Sequence, residues 1–271
     1  MIFCKIDDRF TNMKRLVQWP IGLAGVLLVF SLTIGFTEFI AAAQKKEARV
    51  TQIIRDVRLL PSGASARSAS LNDNVTSGTA VKTGGDSRTE LTFTDQTLAR
   101  LGANSIFTFA EGARNFDLAG GAMLLTAPGT AHVKIGSVSA AVTGFTALFE
   151  HHPRSLSKFI ILHGGGSVSF KDLSSGPCRL HAGQMIVWSP HPTRCPEVLN
   201  VDLSKLLRGK LIAGFSRPLP EIDLILAEIE NQKTSPPSGG YIDPTNIEKR
   251  DQSAAAIPTP PPIKPRTPGG P

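Results

Sequence analysis

The chain has 271 residues, a formal net charge of +7 and a sequence pI near 9.5. That length suits one medium domain with appendages. Six per cent aromatic residues, 25 Gly and 20 Pro fit a turn-rich β protein better than a helical bundle. The basic residues are dispersed, with no Lys/Arg run longer than two and no aromatic interleaving, so the charge marks no nucleic-acid interface.

Met13-Lys14-Arg15 precedes an apolar run from Leu16 to Ile40. A basic pair followed by such a run is a membrane-targeting segment. It reads as a cleaved signal peptide, with Ala41-Ala42-Ala43 supplying the small residues and cleavage between Ala43 and Gln44. The alternative is an uncleaved anchor, since the run reaches the ~20 residues that span a bilayer. Met13 is a second candidate start. Either way the chain beyond the segment is expected outside the cytoplasm, in the periplasm or cell envelope, because Lys14 and Arg15 stay inside.

Val50, Ile53-Ile54, Val57 and Leu59-Leu60 open a β domain expected over residues 48–196. The pattern is clearest from Thr79 to Phe109. In Thr89-Glu90-Leu91-Thr92-Phe93, Leu91 and Phe93 share one face while Glu90 and Thr92 take the other, the period-2 alternation of a half-buried strand. Gly84-Gly85-Asp86-Ser87 before it has turn chemistry, and Asp95-Gln96 suits a tight hairpin leading to Leu98. This stretch reads as architecture, with no charged pair, metal constellation or nucleophile in it. Further strands are expected at Phe116–Leu118, Ala122–Thr126, His132–Ile135, Val138–Val142 and Phe145–Phe149. Turns fall at Glu111–Asn115, Pro128-Gly129, Gly136-Ser137 and Thr143-Gly144. Short strands at this spacing predict a mainly β fold: a sandwich, roll or short solenoid.

Val81-Lys82-Thr83, Ser87 to Asp95 and Leu98 to Ser105 together resemble the signature of the FecR domain family. Leu118 to Ala122, Ala140 to Thr146 and Ile161 to Gly164 with Val168 agree with it. The resemblance covers roughly Ala48 to Val187. It implies an exported β-rich domain of a kind that, in some members, belongs to iron-uptake sigma regulators. Those regulators carry a helical domain before their membrane span that holds the sigma factor. Here only about fifteen residues precede the apolar run, too few for a stable helical unit. The anti-sigma role therefore does not carry over unless a separate polypeptide supplies the cytoplasmic half.

Phe159-Ile160-Ile161-Leu162 is a continuous apolar run expected as a central strand, and Gly164-Gly165-Gly166 after it reads as a turn or bulge. No G-K-[ST] follows to make it a phosphate loop. Cys178 and Cys195 are seventeen positions apart and, outside the cytoplasm, predict a disulfide closing a hairpin over Leu180–Thr193. A metal site with His181 and His191 is the competing reading, but the spacing matches no zinc pattern, and no metal or cofactor is expected. Neither His151-His152 nor His132 and His163 show H-E-x-x-H spacing, and no G-x-S-x-G elbow is present. A hydrolase would need these histidines to converge with a carboxylate in the fold, so the chain is read as non-enzymatic.

Residues 197–232 read as a small helical extension: Leu203–Phe215 broken by Gly209, then Glu221–Gln232 with Ile222, Ile225, Leu226 and Ile229 at helical spacing. From residue 233 the chain is Pro-rich and expected to be a disordered spacer. The resulting expectation is a binding, scaffold or signalling module of the envelope, with an unidentified envelope protein or polymer as partner and no nucleic acid. Its runner-up is a component of a trans-envelope sigma-regulation pathway.

Overall fold

The computed structural model describes residues 47–246, apart from 111–113, 172–175, 191 and 193. The targeting segment with Ala43 and Gln44, most of the Pro-rich tail, His191 and most of the Glu111–Asn115 turn therefore lie outside the described residues. Among the described residues no helix is long and apolar enough to cross a membrane.

Fourteen strands form one sheet: β1 (Glu47–Ile54), β2 (Val57–Leu60), β3 (Arg67–Ser68), β4 (Asn74–Thr76), β5 (Ala80–Thr83), β6 (Arg88–Phe93), β7 (Leu98–Leu101), β8 (Ile106–Phe109), β9 (Asn115–Ile135), β10 (Val138–His151), β11 (Ser157–Phe170), β12 (Cys178–His181), β13 (Gln184–Trp188) and β14 (Leu199–Asn200). All the strand pairings are antiparallel. The mainly β reading holds, and the topology is an open sheet that branches. One edge of the 21-residue β9 is shared: Phe116–Gly120 pairs with β8, and Met123–Thr126 pairs with β7. From those contacts run two arms, β7-β6-β1-β4 and β8-β5-β2-β3. Val50, Leu91 and Phe93 of one arm and Val57, Val81 and Phe107 of the other belong to the same buried cluster, so the arms close over a common core. Phe93 joins them edge-on, its ring 4.9 Å from Phe109 and 5.3 Å from Phe116.

Several turns expected from the sequence are bends inside long strands instead. Pro128-Gly129 lies within β9, Thr143-Gly144 within β10, and Gly164 to Gly166 within β11. The β10 register slips against both neighbours at Gly144, which leaves backbone groups unpaired there. A bulge tolerates the N–H that proline lacks. Gly164 has φ +83°, and a Cβ on it would overlap the Gly144 carbonyl oxygen. Turn residues thus allow three adjacent strands to kink at one level.

The run Phe159–Leu162 is a central strand buried on both faces. Phe159 and Ile161 enter the common core, while Ile160 and Leu162 join a second cluster on the opposite face. That second face is covered by the C-terminal extension. α1 (Leu203–Leu206) is one turn, and the chain then crosses the sheet as an irregular strap, residues 207–219, before α2 (Ile222–Thr234). The helix expected through Phe215 stops short: Gly209 N–H bonds the Leu206 carbonyl, and no further regular turn follows. In α2, Ile225 and Ile229 are buried as expected from their spacing, whereas Leu226 is exposed. Packed structure continues beyond residue 232. Pro237 to Gly240 turns the chain back, Ile242 bridges Val201 in parallel and packs on the second cluster, and the Tyr241 hydroxyl donates to the Gln232 carbonyl.

The cysteines are joined in a disulfide, with Cα atoms 6.0 Å apart. The enclosed segment is not the expected hairpin. β12 pairs with Gly165–Val168 and β13 with Ser157–Ile160, so the two lie end to end along one edge of β11. Fourteen-residue β11 offers its whole edge, and Gly183, at φ +75°, lets the chain pause between them while its N–H bonds the Ile161 carbonyl.

Candidate functional site: a buried arginine that holds the strap

Cross-strand register places one row of side chains on the second face: Gln52, Glu90, Arg100, Leu124, Leu148, Ile160 and Met185, one from each of seven strands. The row is polar at its β1 end and apolar at its β13 end. α2 and α1 supply Ile225, Ile229, Leu203 and Leu206 to the cluster that holds the apolar part. The polar part requires charged and hydrogen-bonding partners, and the strap provides them.

Arg100 has no exposed surface and Glu90 almost none, with side chains 0 % and 2 % accessible. The charged pair therefore lies inside the stretch from Thr79 to Phe109, where the sequence reading placed none. The hairpin set by Asp95-Gln96 faces Glu90 directly to Arg100. Arg100 Nε donates to Glu90 Oε2 at 3.0 Å. Its Nη1 donates to the Leu211 and Ile212 carbonyls at 3.3 and 3.1 Å, and its Nη2 to the Arg217 carbonyl at 2.5 Å. The guanidinium also lies over the Phe215 ring, 4.4 Å from its centroid. Burial lowers the Arg100 pKa from the usual guanidinium value, and the hydrogen bond and charge of Glu90 oppose that shift. An arginine keeps its proton under such conditions.

Glu90 is held from the other side. The β1 register slips between Val50 and Gln52, and Thr51 at that bulge donates to Glu90 Oε1 at 2.8 Å. Gln52 Oε1 accepts from the Ser216 N–H and hydroxyl at 3.2 and 3.1 Å. Further along, the Thr146 hydroxyl donates to Glu221 Oε2 at 2.9 Å, fixing the residue that precedes α2. Gln232 ties α2 to the start of the extension, donating to the Val201 carbonyl and accepting from the Leu203 N–H. Between strap and sheet remains an apolar cavity of about 260 Å³, lined by Leu124, Leu148, Leu206, Leu211 and Ile212 among others.

The histidines do not assemble a reaction centre. His132 lies on β9 opposite Ala141, His163 on β11 opposite Thr146, and His151 ends β10 with Nδ1 2.8 Å from the Ser157 hydroxyl. Burial lowers the His151 pKa, and neighbouring His152 adds to that, while Asp117 opposes it. An open cleft of about 500 Å³ is lined in part by His132, Asp117 and Lys134, but Lys134 Nζ already pairs with Asp117 at 3.1 Å. Among the described residues no group of three or more His, Cys, Asp or Glu could hold a metal ion. His181 is exposed, and Cys178 is engaged with Cys195.

Residues 79–165 match the family described as FecR protein. No curated protein matches the chain in sequence. Among solved structures the chain is similar to two crystal structures of candidate anti-sigma factors from Parabacteroides distasonis ATCC 8503. One, at 1.65 Å resolution, shares 15% identity with a TM-score of 0.41, over 65% of this chain and 89% of that one. The other, at 2.50 Å, shares 14% identity with a TM-score of 0.40, over 48% of this chain and 64% of that one. The chain thus spans a little under two thirds of the length of this second structure.

Proposed function

Taking residues 79–165 as a FecR segment, a regulatory and signalling family, we propose that this chain is an exported, non-catalytic binding module of the cell envelope that acts in signalling. The family match carries the reading. Three features support it. Lys14-Arg15 and the apolar run to Ile40 form an export signal. The Cys178–Cys195 disulfide suits an oxidising compartment. The best-buried charged groups, Arg100 and Glu90, are fully occupied in holding backbone and are not aimed at a substrate cavity. Regulation of a sigma factor through a separate cytoplasmic polypeptide is the form this role takes if the family's pathway operates here.

Two measurements test it. The intact mass of the product from the host's envelope fraction, before and after reduction and alkylation, is expected to begin at Gln44, with both thiols blocked until reduced. Transcript profiling of a deletion strain is expected to show one co-regulated gene set changing, restored by the intact gene. A cytosolic product with free thiols and an unchanged transcript profile would overturn the proposal.

A further inference from the structure

The turn joining β1 to β2 and the turn joining β5 to β6 lie side by side: Gly84 N–H bonds the Asp56 carbonyl, and Asp56 N–H bonds the Ser87 hydroxyl. Both turns place a non-glycine residue in the left-handed region, Arg55 at φ +65° and Asp86 at φ +53°. That conformation is uncommon for residues with a Cβ, and for arginine more so than for aspartate. It is accepted here at two adjoining positions whose side chains meet. Arg55 Nη1 stands 3.4 Å from Asp86 Oδ2, and Lys210 of the strap reaches Asp86 Oδ1, also at 3.4 Å. Arg88 completes the wall of the cleft, which has a volume of about 350 Å³. Its Nε is buried and has no hydrogen-bond partner among the described residues.

Three cations therefore surround one carboxylate, and a buried donor is left over. Two positive charges are in excess. Next to the cleft, Arg58 and Lys82 face each other directly across β2 and β5, and such like-charged pairs repel. The existing pairs give the cluster little stability of its own: Arg55, Lys210 and Asp86 side chains are 67 %, 73 % and 66 % exposed, and ion pairs of that kind contribute little. They are long, water-accessible and easily exchanged for a better-placed anion.

From this geometry we infer that the cleft of Arg55, Arg88 and Lys210 is a docking site for an acidic, carboxylate-bearing segment of a partner protein. Guanidinium forks match carboxylates in shape as well as charge. The remaining wall is Ile54, against which the methylenes of a Glu side chain can pack. Asp86 favours a singly charged carboxylate over a doubly charged phosphate, because the like charge it presents is felt more strongly by the dianion. Since Lys210 belongs to the strap while Arg55 and Arg88 flank β1 and β6, an acidic segment seated there touches both and holds the strap down. The inference rests on the binding-module reading above by naming a partner chemistry for it. Its test involves neither export nor transcription, so its failure leaves that reading standing.

The probe is a fluorescein-labelled hexaglutamate peptide, titrated into the purified full chain by fluorescence anisotropy at about 50 mM salt, where screening between exposed charges is modest. The triple variant R55Q/R88Q/K210Q is expected to bind at least tenfold more weakly. A control with three exposed cations neutralised elsewhere, R154Q/R179Q/K233Q, is expected to bind within about twofold of the parent. Asp86→Asn removes the resident competitor and is expected to tighten binding at least threefold, while Asp223→Asn, an equal charge change on α2, leaves it unchanged. D86N and D223N keep the test valid if the triple variant fails to fold. Equal losses in both triple variants, or equal gains in both Asn variants, would reduce the effect to net charge and overturn the proposal. So would no binding of the peptide, or tighter binding of inorganic pyrophosphate or of phosphatidylglycerol vesicles at the same cleft.

Discussion

Replacing Arg100 with Met keeps most of the side chain's apolar stem and removes its charge. Four hydrogen bonds are lost, to Glu90 and to the carbonyls of Leu211, Ile212 and Arg217, together with the stacking on Phe215. Glu90 is left buried with the Thr51 hydroxyl and no cation. Breaking a buried ion pair by removing one partner costs about 3–5 kcal/mol. The strap can move and let water reach the freed carbonyls, so the separate bonds do not add, and the expected loss is about 4 kcal/mol. With a urea m-value of about 2 kcal/mol/M, the unfolding midpoint falls by about 2 M. The strap should also loosen in the folded state. Trypsin sites at Arg208, Lys210 and Arg217, all exposed, should be cut faster in R100M than in the parent under native conditions. The double variant R100M/E90L, which buries no orphan charge, should be more stable than R100M. The reasoning fails if R100M lies within 1 kcal/mol of the parent and strap cleavage is unchanged.

Three other outcomes follow from separate parts of the molecule. Removing the Cys178–Cys195 bridge by C178S/C195S should lower stability by about 3 kcal/mol, the chain-entropy value for a closed loop of this size, read as a drop in Tm. Gly164→Ala should destabilise by about 2–3 kcal/mol, because the backbone is left-handed there and the new methyl meets the Gly144 carbonyl. Unchanged denaturation by urea would count against the bend at that level. His151 has a folded pKa lowered by burial, so the unfolded chain binds its proton first as pH falls. Its stabilising contribution is present above the unfolded value near 6.5 and is lost as pH drops below it. Melting followed from pH 7.5 to 5 should show a loss that His151→Gln reduces, and equal profiles would exclude His151 as its source.

Much of the sheet was legible because alternation reports burial directly. Leu91 and Phe93 read as inward residues and are inward, and the unbroken run Phe159–Leu162 read as central and is covered on both faces. What was hidden has a physical cause in each case. Glu90 and Thr92 alternate as a solvent face would, and nothing local shows that residues more than 110 positions away will cover them. The register set by Asp95-Gln96 does put residues 90 and 100 opposite each other, so opposite charges at that spacing were an available signal for the pair, though not for its burial. Pro128-Gly129, Thr143-Gly144 and Gly164 carry turn chemistry that serves bulges equally well; only the register of neighbouring strands distinguishes the two. The end-to-end placement of β12 and β13 depended on the length of β11, which glycines at 164–166 disguised. Gln232, buried between α2 and the start of the extension, follows the acidic run of a surface helix and shows no local sign of its role.

The carbonyls that satisfy Arg100 lie 111 to 117 residues further along the chain. A polypeptide emerging N-terminus first presents the hairpin of Glu90 and Arg100 long before the strap exists. Until residues 211–217 arrive, any compact form must leave the guanidinium partly wet or bury it without its carbonyl acceptors. Contacts this distant are slow to form, because the loop between them must close before they contribute. The arginine therefore acts as a timing element: the nascent sheet stays uncommitted, and final consolidation waits for the C-terminal extension. In a chain that crosses a membrane before it folds, that delay keeps the translocating polypeptide pliable until nearly all of it has passed.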